Sequence, residues 1–259
     1  IARPLGWPEG VEYQSMNAGE EWSGTEEDRV LVHLAWNMDR ENPEAQAESL
    51  RNFTQLLGRG HWRRVVGLGS AEEYGELEGQ LSEEMAPGLQ LSAYGRAKHE
   101  AYRALESWAR DPDRRGVWLR PFIVYGPGQG GTMVIPHALR CARERRVAEF
   151  TAGFQRRDFI HVDDVAAGVV QAALHWPDRD DPLTVCNLGR GEAVRLRDVL
   201  ERMGENMGVS RKFHFGVRPM REGEPPEQYA DVLKADELGW RANISWQQGI
   251  DALCQDALR

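Results

Sequence analysis

Short apolar runs that alternate with amphipathic stretches of helical period decide what this chain can fold into. Residues 30–35 (VLVHLA) and 64–69 (RVVGLG) read as buried strands, and a helical pattern at about 45–57 lies between them. A helix follows over 91–109, with Ala97, Ala101, Leu105 and Trp108 at helical spacing. Next come a strand at 117–124, closed by the YGPGQGG loop, and a helix at 133–145. Strands that alternate with helices in this way build an α/β protein around a doubly wound parallel sheet. The pattern then loosens. Residues 149–157 read as extended, 162–174 as helix, 184–188 as strand and 196–207 as helix. A short strand at 212–215, a polar loop at 221–228 (REGEPPEQ) and two short helices at 235–238 and 246–257 complete the chain. The Pro/Gly loop at 126–131 marks a boundary between two portions, 1–130 and 131–259.

In a parallel sheet of this kind, ligands collect beyond the carboxyl ends of the strands. Ser70, the start of the 91–109 helix and the 120–126 segment all fall at such ends. Tyr94 and Lys98 are four residues apart, so they share one helical face and the ammonium stands beside the phenol. A nearby cation favours phenolate and lowers a tyrosine pKa from about 10. On that reading Tyr94 is a general acid/base usable near neutral pH, and the Ser70 hydroxyl hydrogen-bonds the reacting oxygen. Tyr-x-x-x-Lys alone arises often by chance, as a surface lysine beside a core-edge tyrosine. Here the serine, an acidic flank and a downstream string accompany it.

Seven pieces occur in order: VLVHLAW (30–36), VVGLGSAEEYG (65–75), SAYGRAK (92–98), LRPFIVYGPGQ (119–129), RRDFIHVDDVAAGV (156–169), CNLGRGEAVRLRDVL (186–200) and ADELGW (235–240). Together they resemble the extended short-chain dehydrogenase/reductases, the NAD-dependent epimerase/dehydratases that act mainly on nucleotide sugars. The resemblance runs from about Val30 to Ala257. It implies a Rossmann-like sheet in 1–130 that binds NAD(P) and a smaller C-terminal lobe, mainly in 131–259, that binds substrate. The family opens with a strand, a glycine-rich turn and a helix that hold the pyrophosphate. The segment from Ile1 reads like the end of the second strand and the third, so one βα unit is expected to be missing and the chain to be N-terminally incomplete.

The resemblance also implies roles. Tyr94 is the acid/base, Lys98 lowers its pKa and contacts the nicotinamide ribose, and Ser70 binds the sugar oxygen or relays a proton. Leu34, Ala35, Pro121 and Phe122 border the cofactor, and Tyr125 faces substrate. Arg157 and Arg221 match positions that hold the nucleotide diphosphate, with Thr132 along the nucleotide, although either arginine also fits a surface ion pair. Guanidinium forks suit paired phosphates. Glu72 occupies the position of a proton-abstracting glutamate, but Ala71 stands where dehydratases carry an acid for expelling water. Glu72 therefore reads either as a base or as a loop carboxylate. Arg3, near the expected adenosine ribose, favours NADP over NAD. Asp163 and Asp164 read as structural, with Asp164 opening its helix. The family commonly dimerises through the Tyr-x-x-x-Lys helix and the next one. The stripe of Ala97, Ala101, Leu105 and Trp108 serves either that contact or the sheet.

Composition narrows the partners. A net charge of −9 disfavours a nucleic-acid partner. Three widely spaced cysteines form no disulfide or metal pattern and point to a reducing cytoplasm. The seven histidines show no paired-ligand spacing, and His33, within an apolar strand, reads as a core residue. No apolar run reaches the roughly 20 residues that span a bilayer. The expectation is an NAD(P)-dependent enzyme on a nucleotide-diphosphate sugar, first a reductase of a 4-keto-6-deoxy sugar. The alternatives are a 4-epimerase, a 4,6-dehydratase and a binding protein without catalysis.

Overall fold

The computed structural model describes residues 30–59, 61–130, 133–174 and 181–259. Arg3, Thr132 and the opening segment on which the missing βα unit was read lie outside the described residues. In chain order, the first half holds β1 (Val30–His33), α1 (Pro43–Arg59), β2 (Arg64–Leu68), a 3-10 turn (Ala71–Tyr74), β3 (Gly79–Leu81), α2 (Ala93–Trp108), β4 (Arg115–Pro121) and β5 (Ile123–Tyr125). The second half adds α3 (Val134–Arg143), β6 (Ala148–Glu149), β7 (Arg156–Arg157), β8 (Phe159–His161), α4 (Val162–Leu174), β9 (Leu183–Leu188) and β10 (Val194–Arg195). It ends with α5 (Leu196–Asn206), β11 (Phe213–His214), β12 (Glu227–Ala230), α6 (Leu233–Glu237) and α7 (Trp246–Leu258).

The main sheet runs β1-β2-β4-β9, and every pairing in it is parallel. Strand alternation sorts its side chains onto two faces. Val65 and Trp118 pack with Phe53 of α1 and with Ala101, Leu105 and Trp108 of α2. On the other face, Val66, Val117 and Leu119 meet Val165, Val169 and Ala172 of α4. Each such large apolar side chain contributes about 1.5–3 kcal/mol on burial. Gly67 pairs in register with Trp118, and a Cβ there would stand 2.5 Å from the indole ring. The close approach explains a glycine inside an otherwise apolar strand. The apolar stripe of α2 faces the sheet, since Ala101 and Leu105 are fully buried in this core. It is therefore spent inside the subunit.

The run read as one strand at 117–124 is two. Pro121 has no N–H to offer, and the chain changes partners immediately after it. Phe122 N–H bonds the Leu188 carbonyl of β9, whereas Ile123 N–H bonds the Asp158 carbonyl. β5 then pairs with β8. A second four-stranded sheet, β10-β7-β12-β3, was not legible in the sequence. Its strands have 2–4 residues and show no alternation to read. The stretch read as extended over 149–157 contributes only short pieces, β6 and β7. The lobe core gathers Tyr125, Ile135 and Ala138 with Leu200 and Met203 of α5 and Ile250 and Leu253 of α7.

Asp158 holds these parts together. Its buried carboxylate accepts the N–H groups of Arg190 (2.9 and 3.0 Å), Gly191 (2.9 Å) and Ala230 (3.2 Å). Asp164 is structural as expected, but it accepts the N–H groups of Asn243 and Ile244, each at 3.0 Å, and so ties down the segment before α7. His33 is a buried core residue, its ring 4.7 Å from that of Phe53.

Candidate active site

The turn after β2 sends two neighbouring glutamates in opposite directions. Ser70 caps this 3-10 turn. Its hydroxyl accepts the Glu72 N–H at 3.2 Å, and Glu73 reaches back to accept the Ser70 N–H at 2.9 Å. That reciprocal cap fixes the turn. Glu73 points down into the protein, where it accepts from Arg120 Nε at 3.1 Å and from Trp118 Nε1 at 3.0 Å. Arg120 also donates to the Tyr74 hydroxyl (3.3 Å), which donates in turn to Asn187 Oδ1 (2.7 Å). Every side chain of this chain of contacts is buried. The sequence drew attention to Glu72 and gave no role to Glu73 or Arg120.

Glu72 points the other way, towards the start of α2. It accepts from the Ser92 hydroxyl at 2.8 Å and forms an ion pair with Arg40, from the loop after β1. Ser92 also caps α2 by accepting the Gly95 N–H at 2.9 Å. Gly95 lets the helix start lie on the turn, because a Cβ there would stand 2.6 Å from the Glu72 carbonyl oxygen. Tyr94 is thereby set near Ser70, whose hydroxyl helps to hold its titration down. The Arg40 guanidinium lies 4.5 Å from the Tyr94 ring centroid. Arg40 is the residue beside Tyr94 that sequence reasoning missed: NMDREN (37–42) carries no motif, and only the fold brings it there.

Lys98 sits one helical turn on and is 2% exposed. Its Nζ donates to the Leu68 carbonyl at 2.6 Å, stacks 3.9 Å from the Trp36 ring and stands 5.6 Å from the Tyr94 ring. The expectation that Lys98 brings Tyr94 down towards neutral pH is not met. Burial pushes the phenol up to about 12 and the charges of Glu72 and Glu73 add to that, against the opposing pull of Arg40 and the Ser70 hydrogen bond. The lysine is itself lowered to about 7, first by burial and then by Arg40, with Glu73 opposing. Desolvation outweighs the helical pairing that the sequence shows.

Further residues differ from expectation or qualify it. Tyr125 does not face substrate: it is 1% exposed, and its hydroxyl points to the Trp246 carbonyl at 3.4 Å within the lobe core. The Phe122 ring is buried with Tyr74, Leu81 and Ala230, and Pro121 is buried at the end of β4. Leu34 and Ala35 are exposed just past the carboxyl end of β1. Arg157 pairs with Glu224 at 2.9 Å, and Arg221 pairs with Glu41 at 2.9 Å. The Glu224 N–H bonds the Arg221 carbonyl, so one turn carries both Arg221 and the partner of Arg157. Each guanidinium rests on a carboxylate, as both the phosphate and the ion-pair readings allow.

A family model described as NAD dependent epimerase/dehydratase family matches residues 30–189. The chain belongs to that family. Among relatives, it is 32% identical over 140 residues to the CDP-abequose synthase of Salmonella typhimurium, covering 53% of this chain and 46% of that protein. It is 28% identical over 232 residues to the UDP-glucose 4-epimerase of Azospirillum brasilense, covering 77% of this chain and 66% of that protein. The chain thus spans about half the length of the first of these relatives and just under two thirds of the second. Among solved structures, MoeE5 in complex with UDP-glucose and NAD aligns with a TM-score of 0.77 at 29% identity, over 87% of this chain and 78% of that one. These likenesses place the parallel sheet and its helices in the Rossmann-like fold of this family.

The family's NAD(P) has a fitting nicotinamide end here. Among the described residues, one carbonyl, that of Leu68, accepts from the three-donor ammonium of Lys98. A buried ammonium in that state suits ribose hydroxyls, and Lys98 with Tyr94, Leu34 and Ala35 would hold that end. The same burial has a measurable cost. Between about 7 and the ordinary 10.5, the unfolded chain binds a proton on this lysine that the folded chain does not. The lysine's contribution to stability therefore rises with pH across that window and is least favourable below about 7. Lys98→Met is expected to gain most over wild type near pH 6 and to lose that advantage by about pH 10. Denaturant midpoints at the two pH values measure this, and an advantage that does not change with pH would contradict the burial argument.

Proposed function

We propose that this protein is an NAD(P)-dependent oxidoreductase of a nucleotide-diphosphate sugar, acting first as a reductase of a 4-keto sugar. One observation carries the reading: Tyr94 is a buried phenol that keeps its proton at neutral pH, and it lies beside the Ser70 hydroxyl at the carboxyl edge of the parallel sheet. A carbonyl reduction needs a proton donor at that place. The chemistry that bound NAD(P)H supplies is a hydride to the keto carbon. Tyr94 donates its proton to the oxygen that becomes the alcohol, and Ser70 orients that oxygen by hydrogen bonding. Lys98 would hold the cofactor ribose. Arg157 and Arg221 would exchange Glu224 and Glu41 for the diphosphate, since guanidinium–phosphate contacts are charge-assisted and bidentate.

Glu72 argues against dehydration. Its carboxylate is held by Arg40 and Ser92, and Ala71 offers no acid beside it. A 4-epimerase remains a specific second reading, favoured by the longer alignment with the UDP-glucose 4-epimerase. A panel of nucleotide 4-keto-6-deoxy sugars with NADPH or NADH, run beside nucleotide sugars that carry a C4 hydroxyl with NAD, separates the two. The reductase reading predicts cofactor oxidation equal to the alcohol formed. Interconversion of C4 epimers without net oxidation would establish the epimerase instead.

A further inference from the structure

The Tyr94 phenol faces several charged groups. Arg40 reaches it from the loop after β1, Glu72 and Glu73 stand on the turn after β2, and Lys98 is on its own helix. His33 of β1 stands behind Lys98. Two of these are cations of opposite habit. Lys98 is engaged with other partners, bonded to the Leu68 carbonyl and stacked on Trp36. Arg40 is turned towards the phenol ring, 1.1 Å nearer its centroid than Lys98 by the difference between 5.6 and 4.5 Å. Glu72 fixes this orientation and is itself fixed by Ser92, the residue that caps the Tyr94 helix. Cap, carboxylate and guanidinium thus form one connected support that ends over the phenol.

We propose that Arg40, steered by Glu72 and Ser92, is a positioning residue for Tyr94, supplying the positive charge that faces the phenol in this chain. Glu72 then serves to orient Arg40 rather than to remove a proton from the sugar. An opposite charge at 4–6 Å moves a titration by about 1–3 units. Arg40 exerts the largest pull that opposes the effect of burial on Tyr94. A stronger acid at Tyr94 transfers its proton more readily. The assignment rests on reading Tyr94 as the acid/base group.

A fluorinated tyrosine of low intrinsic pKa placed at position 94 reports the charge environment directly, through its fluorine resonance across a pH series. In Arg40→Met the midpoint is expected to rise by about one unit, and in Arg40→Lys to return most of the way. Circular dichroism confirms that both variants are folded. With the natural tyrosine, Arg40→Met should lower kcat at neutral pH by roughly tenfold with little change in KM, and Arg40→Lys should recover most of the loss. Equal midpoints in all three proteins would overturn the proposal. If no 4-keto sugar turns over yet the midpoint moves as stated, the reductase reading fails and the role of Arg40 stands.

Discussion

Tyr94→Phe is expected to lower turnover of a nucleotide 4-keto sugar by about 10²- to 10⁴-fold, the range that a positioned proton donor supplies. The change removes one O–H and keeps the ring. The packing of the α2 start and the contact with Arg40 at 4.5 Å should therefore survive, along with dinucleotide binding. The loss belongs in kcat, because the proton is delivered in the transition state and not in the ground-state complex. Steady-state kinetics on the folded variant separate the parameters. A rise in KM with kcat unchanged would show that Tyr94 binds and does not react.

The second large effect lies beneath the site. Glu73→Gln leaves the Arg120 guanidinium buried without its counter-charge, and breaking a buried pair from one side costs about 3–5 kcal/mol. Arg120 and Glu73 side chains are only 6% and 1% exposed, so water cannot take the partner's place. For a chain of this size, each kcal/mol shifts the melting point by roughly 2–4 °C, giving a fall of about 6–20 °C. The double variant Glu73→Gln with Arg120→Met removes the stranded charge and should recover part of the loss. Thermal melts of the two singles and the double test this. A Glu73→Gln melting point within about 2 °C of wild type would show that the pair contributes little.

The main sheet and its flanking helices were legible because they follow simple periods. The strands at 30–35 and 64–69 and the helices at 91–109 and 162–174 appear within a few residues of where the pattern puts them. The catalytic candidates were legible for the same reason, since a serine after a strand and a tyrosine at a helix start are positions that the fold fixes. What failed were judgments that depend on burial. The i,i+4 spacing of Tyr94 and Lys98 puts the two side chains on one face, but it says nothing of solvent. Removal of water moved both titrations, the phenol up and the ammonium down. Tyr125 was given to substrate by the family resemblance, whereas it packs in the core that α3, α5 and α7 share. Arg40, Asp158 and the Glu73–Arg120 pair owe their roles to partners 32 or more residues away, and local pattern carries no trace of them. The strands of the second sheet, 2–4 residues each, were invisible for want of length.

The most direct test follows hydrogen to the sugar. The protein is incubated with a nucleotide 4-keto-6-deoxy sugar and NADPH deuterated at the nicotinamide C4, and the product is read by mass and by proton resonance. The account predicts one deuterium at sugar C4, a new alcohol there, and oxidised cofactor in equal amount, all lost in Tyr94→Phe. An alcohol that carries no deuterium at C4, or equal labelling in Tyr94→Phe, would contradict it.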